Sequence, residues 1–180
     1  MTTFKVAKLD DFTVRVANER DVEPITNMLK AAARSLHEKE IKQWGYLLQG
    51  GEDEEIKADI SAGKTYIVET GSGEPVASFN FTNVQNEWDI DMWGKRQENA
   101  FYIHRFVVNL THQHRQLGGR LLQWIDENHT IQDGYIRLDC VANNPVLNAF
   151  YQKAGFQFAG YVGDGDDRFS LYEKVIKVTA

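Results

Sequence analysis

Between Phe12 and Ala17, in FTVRVA, apolar and polar residues alternate, the period-two signature of a strand with one buried face. From Val22 the period changes. In VEPITNMLKAAARSLHE, Ile25, Met28, Leu29 and Ala32 repeat at helical spacing, and Asp21 is suited to cap the first turn. IKQWGYLLQ predicts a second, short helix. GEDEEIKADISAG predicts a third, opening in acid where the helix dipole favours carboxylates and stopping near Gly63. KTYIVETGSGEPVASFNFT reads as a hairpin: an apolar run, a Gly-Ser-Gly turn and an alternating partner strand. Residues 83–99 are polar with Trp88 and Trp93 and read as a long loop, a common place for functional surface.

AFYIHRFVVNL is the strongest strand pattern in the chain, and HQHRQLGGRLLQW after it opens a helix running to about Asn128. YIRLDCV predicts the next strand. NPVLNAFYQKAG is a short helix with Pro145 in its first turn and Gly155 at its end. FQFAGYV and RFSLYEKVIKV finish as strands across the turn-rich GDGDD. The predicted order is β-α-α-α-β-β-β-α-β-α-β-β, with a strand-helix-strand-helix unit in its middle. Such an order packs as a mixed α/β sheet with helices on its faces, and 180 residues predict one domain over 1–180.

Composition narrows the function classes. Cys140 is the single cysteine, so no internal disulfide framework can form. MTTFKVAKLDDFTVRV lacks the charged start and apolar run of a signal peptide, and no apolar stretch is long enough to span a bilayer. The expectation is a cytoplasmic protein with no membrane partner. Twenty Lys and Arg against 26 Asp and Glu give a net charge of −6, which disfavours a nucleic-acid partner and suits a cationic small substrate.

The stretch from His112 to Trp124 carries the first candidate chemistry. A helix start leaves several N–H groups unpaired and aligned, and Gly118 and Gly119 let a bulky anion approach the backbone. Leu117, Leu121, Leu122, Trp124 and Ile125 would anchor that helix. Two glycines alone also fit an ordinary helix start. There is no Gly-x-x-x-x-Gly-Lys-Ser/Thr motif, and GSGEP lacks dinucleotide-binding spacing.

Taken together with the downstream strand and helix, the stretch resembles the GNAT superfamily of acyl-CoA N-acyltransferases, whose loop reads Gln/Arg-x-x-Gly-x-Gly/Ala after a central strand. The gapless match is Gln113-His114-Arg115-Gln116-Leu117-Gly118, with Gln116 in place of the family's first glycine. That exchange removes backbone freedom but no N–H donor, provided Gln116 takes ordinary allowed dihedrals. VANNPVLNAFYQKAGFQFAG is similar to the family's strand-end asparagine and Leu-Tyr-Glu-Lys-x-Gly-Phe helix end. Asn144, Phe150, Tyr151, Lys153, Gly155 and Phe156 match, while Gln152 replaces the glutamate and Leu147 an alanine. His104-Arg105 and Arg137-Leu138-Asp139-Cys140 give a looser likeness to bacterial members.

The resemblance implies a GNAT fold, a mostly antiparallel central sheet flanked by helices. It implies acetyl-CoA as cosubstrate, held by Phe106, Val107 and Val108 through their strand backbone. The loop Gln113, His114, Arg115, Gln116, Leu117, Gly118 and Gly119 would take the pyrophosphate, with Asn144 and Tyr151 completing the set. It also implies transfer to a primary amine of a small substrate. Such an amine titrates at about 10.4 and must become neutral, the oxyanion needs a donor, and the departing thiolate benefits from a proton. Tyr151 matches the family's general acid. His104, on one strand face with Tyr102 and Phe106, is the candidate base, with Glu98 or a water chain as alternatives.

Other readings stand beside these. Tyr151 also fits a packed helix face with Leu147 and Phe150, and His104 a hydrogen-bonded strand histidine. His112, His114 and His129 lack the further ligands of a metal site, and GDGDD lacks the calcium-loop pattern, so no metal is expected. Cys140 reads as a packed thiol, GEDEE as a helix cap or an attractant for a cationic amine, and Trp44 and Tyr46 as core or cleft lining. A non-catalytic acyl-CoA sensor, or acetylation of a protein terminus or lysine, remains as an alternative function, and a homodimer stays open.

Overall fold

A computed structural model describes residues 3–38 and 52–176, and of 113–115 the backbone alone. The predicted helix over IKQWGYLLQ, with Trp44 and Tyr46, lies outside the described residues. The strands are β1 (Lys8–Leu9), β2 (Phe12–Val16), β3 (Thr65–Glu69), β4 (Pro75–Thr82), β5 (Ala100–Val108), β6 (Gly134–Val141), β7 (Gln157–Val162) and β8 (Phe169–Ile176). The helices are α1 (Val22–Glu38), α2 (Asp53–Ser61), α3 (Glu87–Trp93), α4 (Leu117–Asn128) and α5 (Pro145–Lys153). The expected mixed α/β class with mostly antiparallel strands holds: every described strand pair is antiparallel except β5 with β6.

The chain divides into two compact units, Met1–Phe81 with Arg105–His129 and Thr82–His104 with Thr130–Ala180. In the first, β1, β2, β3 and β4 pair antiparallel in that order. The helical stripe of α1 places Ile25, Met28, Leu29, Ala32 and Ala33 in a core with Ile56 and Ile60 of α2, Ile67 of β3 and Val107 of β5. Leu29 is fully buried; a side chain of that kind contributes roughly 1.5–3 kcal/mol. The inner face of α4, Leu117, Leu121, Leu122, Trp124 and Ile125, is likewise buried. Trp124 sits 4.6 Å from the ring of Phe4 and donates its indole N–H to the Lys8 carbonyl at 2.8 Å.

In the second unit β6 pairs with β8 along its whole length, Gly134↔Ile176 to Val141↔Phe169, and β7 covers the far edge of β8. The parallel β5–β6 ladder runs from Ala100↔Tyr135 to Tyr102↔Arg137. Gly134 at its start has φ 121°, and a Cβ there would strike the Asn99 carbonyl, so the position admits glycine only.

Four details depart from the sequence reading. The expected loop over 83–99 contains α3, opened by a capping box in which Asn86 and Asp89 exchange side-chain bonds with each other's backbone N–H. Asp21 does not cap α1 as the first residue. Asn18 caps a 3-10 turn ahead of it, and Asp21 closes the box from the third position. The acids of GEDEE sit in the first turn of α2 with no side-chain cap bond from Glu52, so they act through the helix dipole and through ion pairs. Lys8 and Leu9 form a short strand that the pattern did not mark.

Candidate active site

In the first unit the chain leaves β5 through a 3-10 segment, Leu110–Arg115, fastened at its start. The Asn109 side chain accepts from the Thr111 N–H at 3.2 Å, and the Asn109 backbone N–H donates to the Val76 carbonyl at 2.8 Å. His112 is buried edge-on against Phe12, and its Nδ1 lies 2.9 Å from the Thr111 hydroxyl, so its surroundings are those of a packed side chain. Among the described residues no group of His, Cys, Asp and Glu is placed to hold a metal ion.

Gln116 then takes φ 54° and ψ 27°, the left-handed region. The sequence reading required an ordinary allowed conformation here, and the structure corrects it. The backbone keeps the bend that glycine favours, and the glutamine bears a strain of about 1 kcal/mol. Its side chain makes no cap bond. The first helical bond of α4 runs from the Arg120 N–H to the Gln116 carbonyl at 3.2 Å, so the N–H groups of Leu117, Gly118 and Gly119 have no intrahelical acceptor. Leu117 is buried and the two glycines half-buried, which fixes the direction of those amides.

Upstream, Val107 is packed in the core while Phe106 and Val108 are half-buried. Arg105 also has a left-handed backbone, φ 47°, in mid-strand. Its guanidinium is clasped by α2 and the residue before it: Nη1 to Asp59 at 2.5 Å, Nη2 to Glu52 at 2.9 Å, and Glu55 at 3.4 Å. This ion-pair set engages three acids, two of them in the segment that composition alone left as a possible amine attractant.

The second unit holds the other predicted residues. Asn144 is buried and caps α5, accepting from the Leu147 N–H at 3.1 Å behind Pro145. Tyr151 is buried among the rings of Phe150 at 5.2 Å, Tyr172 at 6.1 Å and Phe156 at 6.2 Å. Burial first, then the neighbouring Cys140 and Asp139, raises its hydroxyl well above the ordinary range for tyrosine, so it keeps its proton at neutral pH. Gln152, where the family has glutamate, donates to the Tyr172 hydroxyl at 3.3 Å. Burial pushes the Cys140 thiol up to about 12, consistent with a packed cysteine rather than a nucleophile.

His104 stacks parallel to Tyr102, and its Nε2 lies 3.0 Å from Oδ1 and 3.1 Å from Oδ2 of Asp89. Asp89 is fully buried on α3, and its Oδ2 also accepts from the Asn86 N–H at 3.2 Å. One residue earlier, the Trp88 indole N–H donates to both oxygens of Asp139 at 3.1 and 3.2 Å. Desolvation raises the Asp139 carboxyl to about 6, against the opposing pull of His104 and Trp88. Glu98 is drawn away from any base role: its carboxylate receives Arg137 Nη2 at 2.8 Å, and that bond holds it below the usual range. Arg137 is buried between Trp93 and Tyr135 and also binds Glu173 at 3.1 Å. Asp89 was missing from the sequence reading, which gave Trp88 only as part of a loop and Asp139 only as part of a likeness, neither with a role of its own. The signal that could have found the first two is the Asn86-x-x-Asp89 spacing ahead of an aromatic, apolar run.

The first unit thus carries a strand-loop-helix with uncapped amides, and the second a buried, protonated tyrosine on a later helix. Comparison with known proteins gives the family: the profile of the acetyltransferase (GNAT) family matches residues 33–156, and the chain belongs to that family. It is 33% identical over 181 residues to YesJ of Bacillus subtilis (strain 168), an uncharacterized N-acetyltransferase, covering 98% of both chains. A GNAT-family acetyltransferase from Listeria monocytogenes 4b F2365 is 30% identical with a TM-score of 0.64, over 91% of this chain and 94% of that one. One from Streptococcus agalactiae 2603 shares the fold at a TM-score of 0.78 and 20% identity, over 94% and 98%. The fold is also that of a Vibrio cholerae spermidine N-acetyltransferase solved with CoA and spermine, at TM-score 0.59 and 13% identity, over 92% and 96%.

Proposed function

We propose that the chain transfers the acetyl group of acetyl-CoA directly to a primary amine of a small substrate. The observation that carries this reading is the start of α4: three amides without an intrahelical acceptor behind a left-handed Gln116, with glycines at two of the three positions. An anionic pyrophosphate suits that donor set without any basic side chain. Gln113, His114, Arg115 and Gln116 lead into the cradle, Leu117, Gly118 and Gly119 supply its amides, and Phe106, Val107 and Val108 offer strand backbone to the acyl arm. In the second unit Asn144 holds the start of α5, and Tyr151 supplies a proton or hydrogen bond to the departing sulfur. Because a tyrosine raised this far is a weaker acid than a thiol of about 8.5, hydrogen-bond donation during C–S cleavage is the larger part of its contribution. His104, held by Asp89, serves as base by carrying the amine's proton out of the site. The protein works in the cytoplasm on a small molecule rather than on nucleic acid or membrane; among the described residues no helix is long and apolar enough to cross a membrane.

The left-handed Gln116 keeps the bend that glycine favours, which supports the catalytic reading over that of a non-catalytic sensor. Titration of the purified protein with acetyl-CoA, followed by thiol release over a panel of primary amines and intact proteins, tests the reading. Binding at micromolar acetyl-CoA with turnover on a small amine is expected. No binding and no turnover would overturn it, and turnover only on intact proteins would move the acceptor class.

A further inference from the structure

Within the second unit, α3 and β5 converge on a segment of β6 to which the sequence likeness assigned no role, Arg137-Leu138-Asp139-Cys140. Trp88 and Asp89 are neighbours on α3, and each holds a different titratable group. Trp88 donates to Asp139 on β6, and Asp89 pairs with His104 on β5. The capping box fixes Asp89 through the Asn86 N–H, and the edge-on contact of Trp88 with Phe169 at 4.9 Å fixes the indole. The nearby Arg137 is engaged by Glu98 and Glu173, and Tyr102 receives a further bond from it at 3.3 Å. Asp139 therefore has an indole donor and no arginine or lysine bonded to it among the described residues. Its half-buried carboxylate is held in place by a neutral donor.

We propose that Asp139 is a catalytic carboxylate of the acetyl transfer, taking the first proton from the acceptor ammonium and passing it on through His104 to solvent. The proposal rests on the acetyltransferase reading. The ammonium R–NH3+ gives one proton to Asp139, and the neutral amine attacks the thioester carbonyl as the C–N bond forms. Collapse breaks the C–S bond, and the second nitrogen proton ends on the thiol with Tyr151 hydrogen-bonded to the sulfur. One proton reaches solvent, one the thiol, and one stays on the amide.

The environment of Asp139 suits that task. The groups that act on it are Trp88 and Asp89 from α3 and His104 from β5, and its own charge is felt by Cys140 beside it on β6 and by Tyr151 from α5. Desolvation and Asp89 raise its carboxyl and His104 and Trp88 lower it, with the balance at about 6. An ordinary aspartate titrates at 3.8, so the shift makes Asp139 a base stronger by about two powers of ten. At pH 7 it is still mostly ionised and ready to accept.

The test is the pH profile of thiol release with an amine found in the panel. For the wild type, kcat/KM should fall as pH drops through about 6. Asp139→Asn keeps the acceptor oxygen for Trp88, and it should lower kcat/KM by about 100-fold and abolish that acid limb. Acetyl-CoA affinity should stay within about threefold. An unchanged rate with the same limb would overturn the role. Should the Asn variant fail to fold by circular dichroism, Trp88→Phe serves instead. Losing the donor should move the acid limb upward by about half a pH unit or more with acetyl-CoA affinity kept, and an unmoved limb would overturn the proposal. A substrate-free readout separates the two layers of inference. Tryptophan fluorescence of the wild type should step near pH 6 and lose that step in both variants. Absence of transfer by the wild type to any amine would overturn the acetyltransferase reading and the catalytic role with it. Wild-type transfer with an unaltered Asn variant would overturn Asp139 alone.

Discussion

The start of α4 and the surroundings of α3 are built on opposite principles. At the first, the proposed functional groups are backbone amides, aimed by a left-handed residue and by five buried side chains on the inner face of the helix. At the second, they are side chains, Asp89, His104, Trp88 and Asp139, each placed by a hydrogen bond to another. A backbone site can keep its shape when the residue that forms it is exchanged: Gln116 holds the left-handed bend at a position the family motif gives to glycine. A side-chain network tolerates little, because removing one member leaves another buried and unpaired.

Substitutions can break this contrast. The largest effect is expected at Tyr151, where Tyr151→Phe should reduce kcat by about 100-fold or more while acetyl-CoA affinity stays within about twofold. Steady-state thiol release with calorimetric binding checks it, and an unchanged kcat would leave Tyr151 as a packed ring. Next comes Asp89→Ala. The loss of a cap, a buried bond and the partner of His104 should destabilise the fold by about 3 kcal/mol in urea unfolding. A change under about 1 kcal/mol would mean that the network is not held as described.

Asp139→Asn should act in the other direction, with a pH signature. The folded-state carboxyl is raised from 3.8 to about 6, so ionisation is disfavoured in the native state. That cost is absent below about pH 4, grows as pH rises through 6 and is complete above it. The variant should therefore gain about 1–3 kcal/mol at about pH 8 and nothing at about pH 4. Equal gains at both values would assign the effect to packing instead. The smallest effect belongs to the backbone site: Gln116→Gly should relieve left-handed strain and cost unfolded-chain entropy, for a net change within about 1 kcal/mol. Acetyl-CoA affinity should change by less than about threefold. A loss of about tenfold would show that the glutamine side chain itself takes part.

The same division explains what could be read from the chain. The strands other than β1, together with α1, α2, α4 and α5, follow from periodicity and from punctuation by Gly118, Pro145 and Gly155, because local pattern determines where apolar stripes are buried. The amide cradle was visible since a helix start has a local signature. Asp89 and Asp139 were not, because their chemistry depends on contacts 15 and 51 residues apart in sequence. Seven residues of α3 among polar neighbours gave no amphipathic stripe, so the Asn86–Asp89 box passed for loop. Asn144 shows a further limit. Its motif points to the cosubstrate, while its side chain in the structure caps α5, and a sequence match does not separate those roles.

Arg105 adds a consequence in time. Its left-handed turn in mid-strand is braced by Glu52 and Asp59, which lie 53 and 46 residues away along the chain. Closing a loop of that length carries an entropic cost that local hairpins and helices do not. The bend in β5 is thus expected to be set late in folding, after α2 has docked. Loss of the clasp should then hasten unfolding far more than it slows refolding. The half-life of the folded protein, rather than its rate of assembly, is then expected to depend on that arginine.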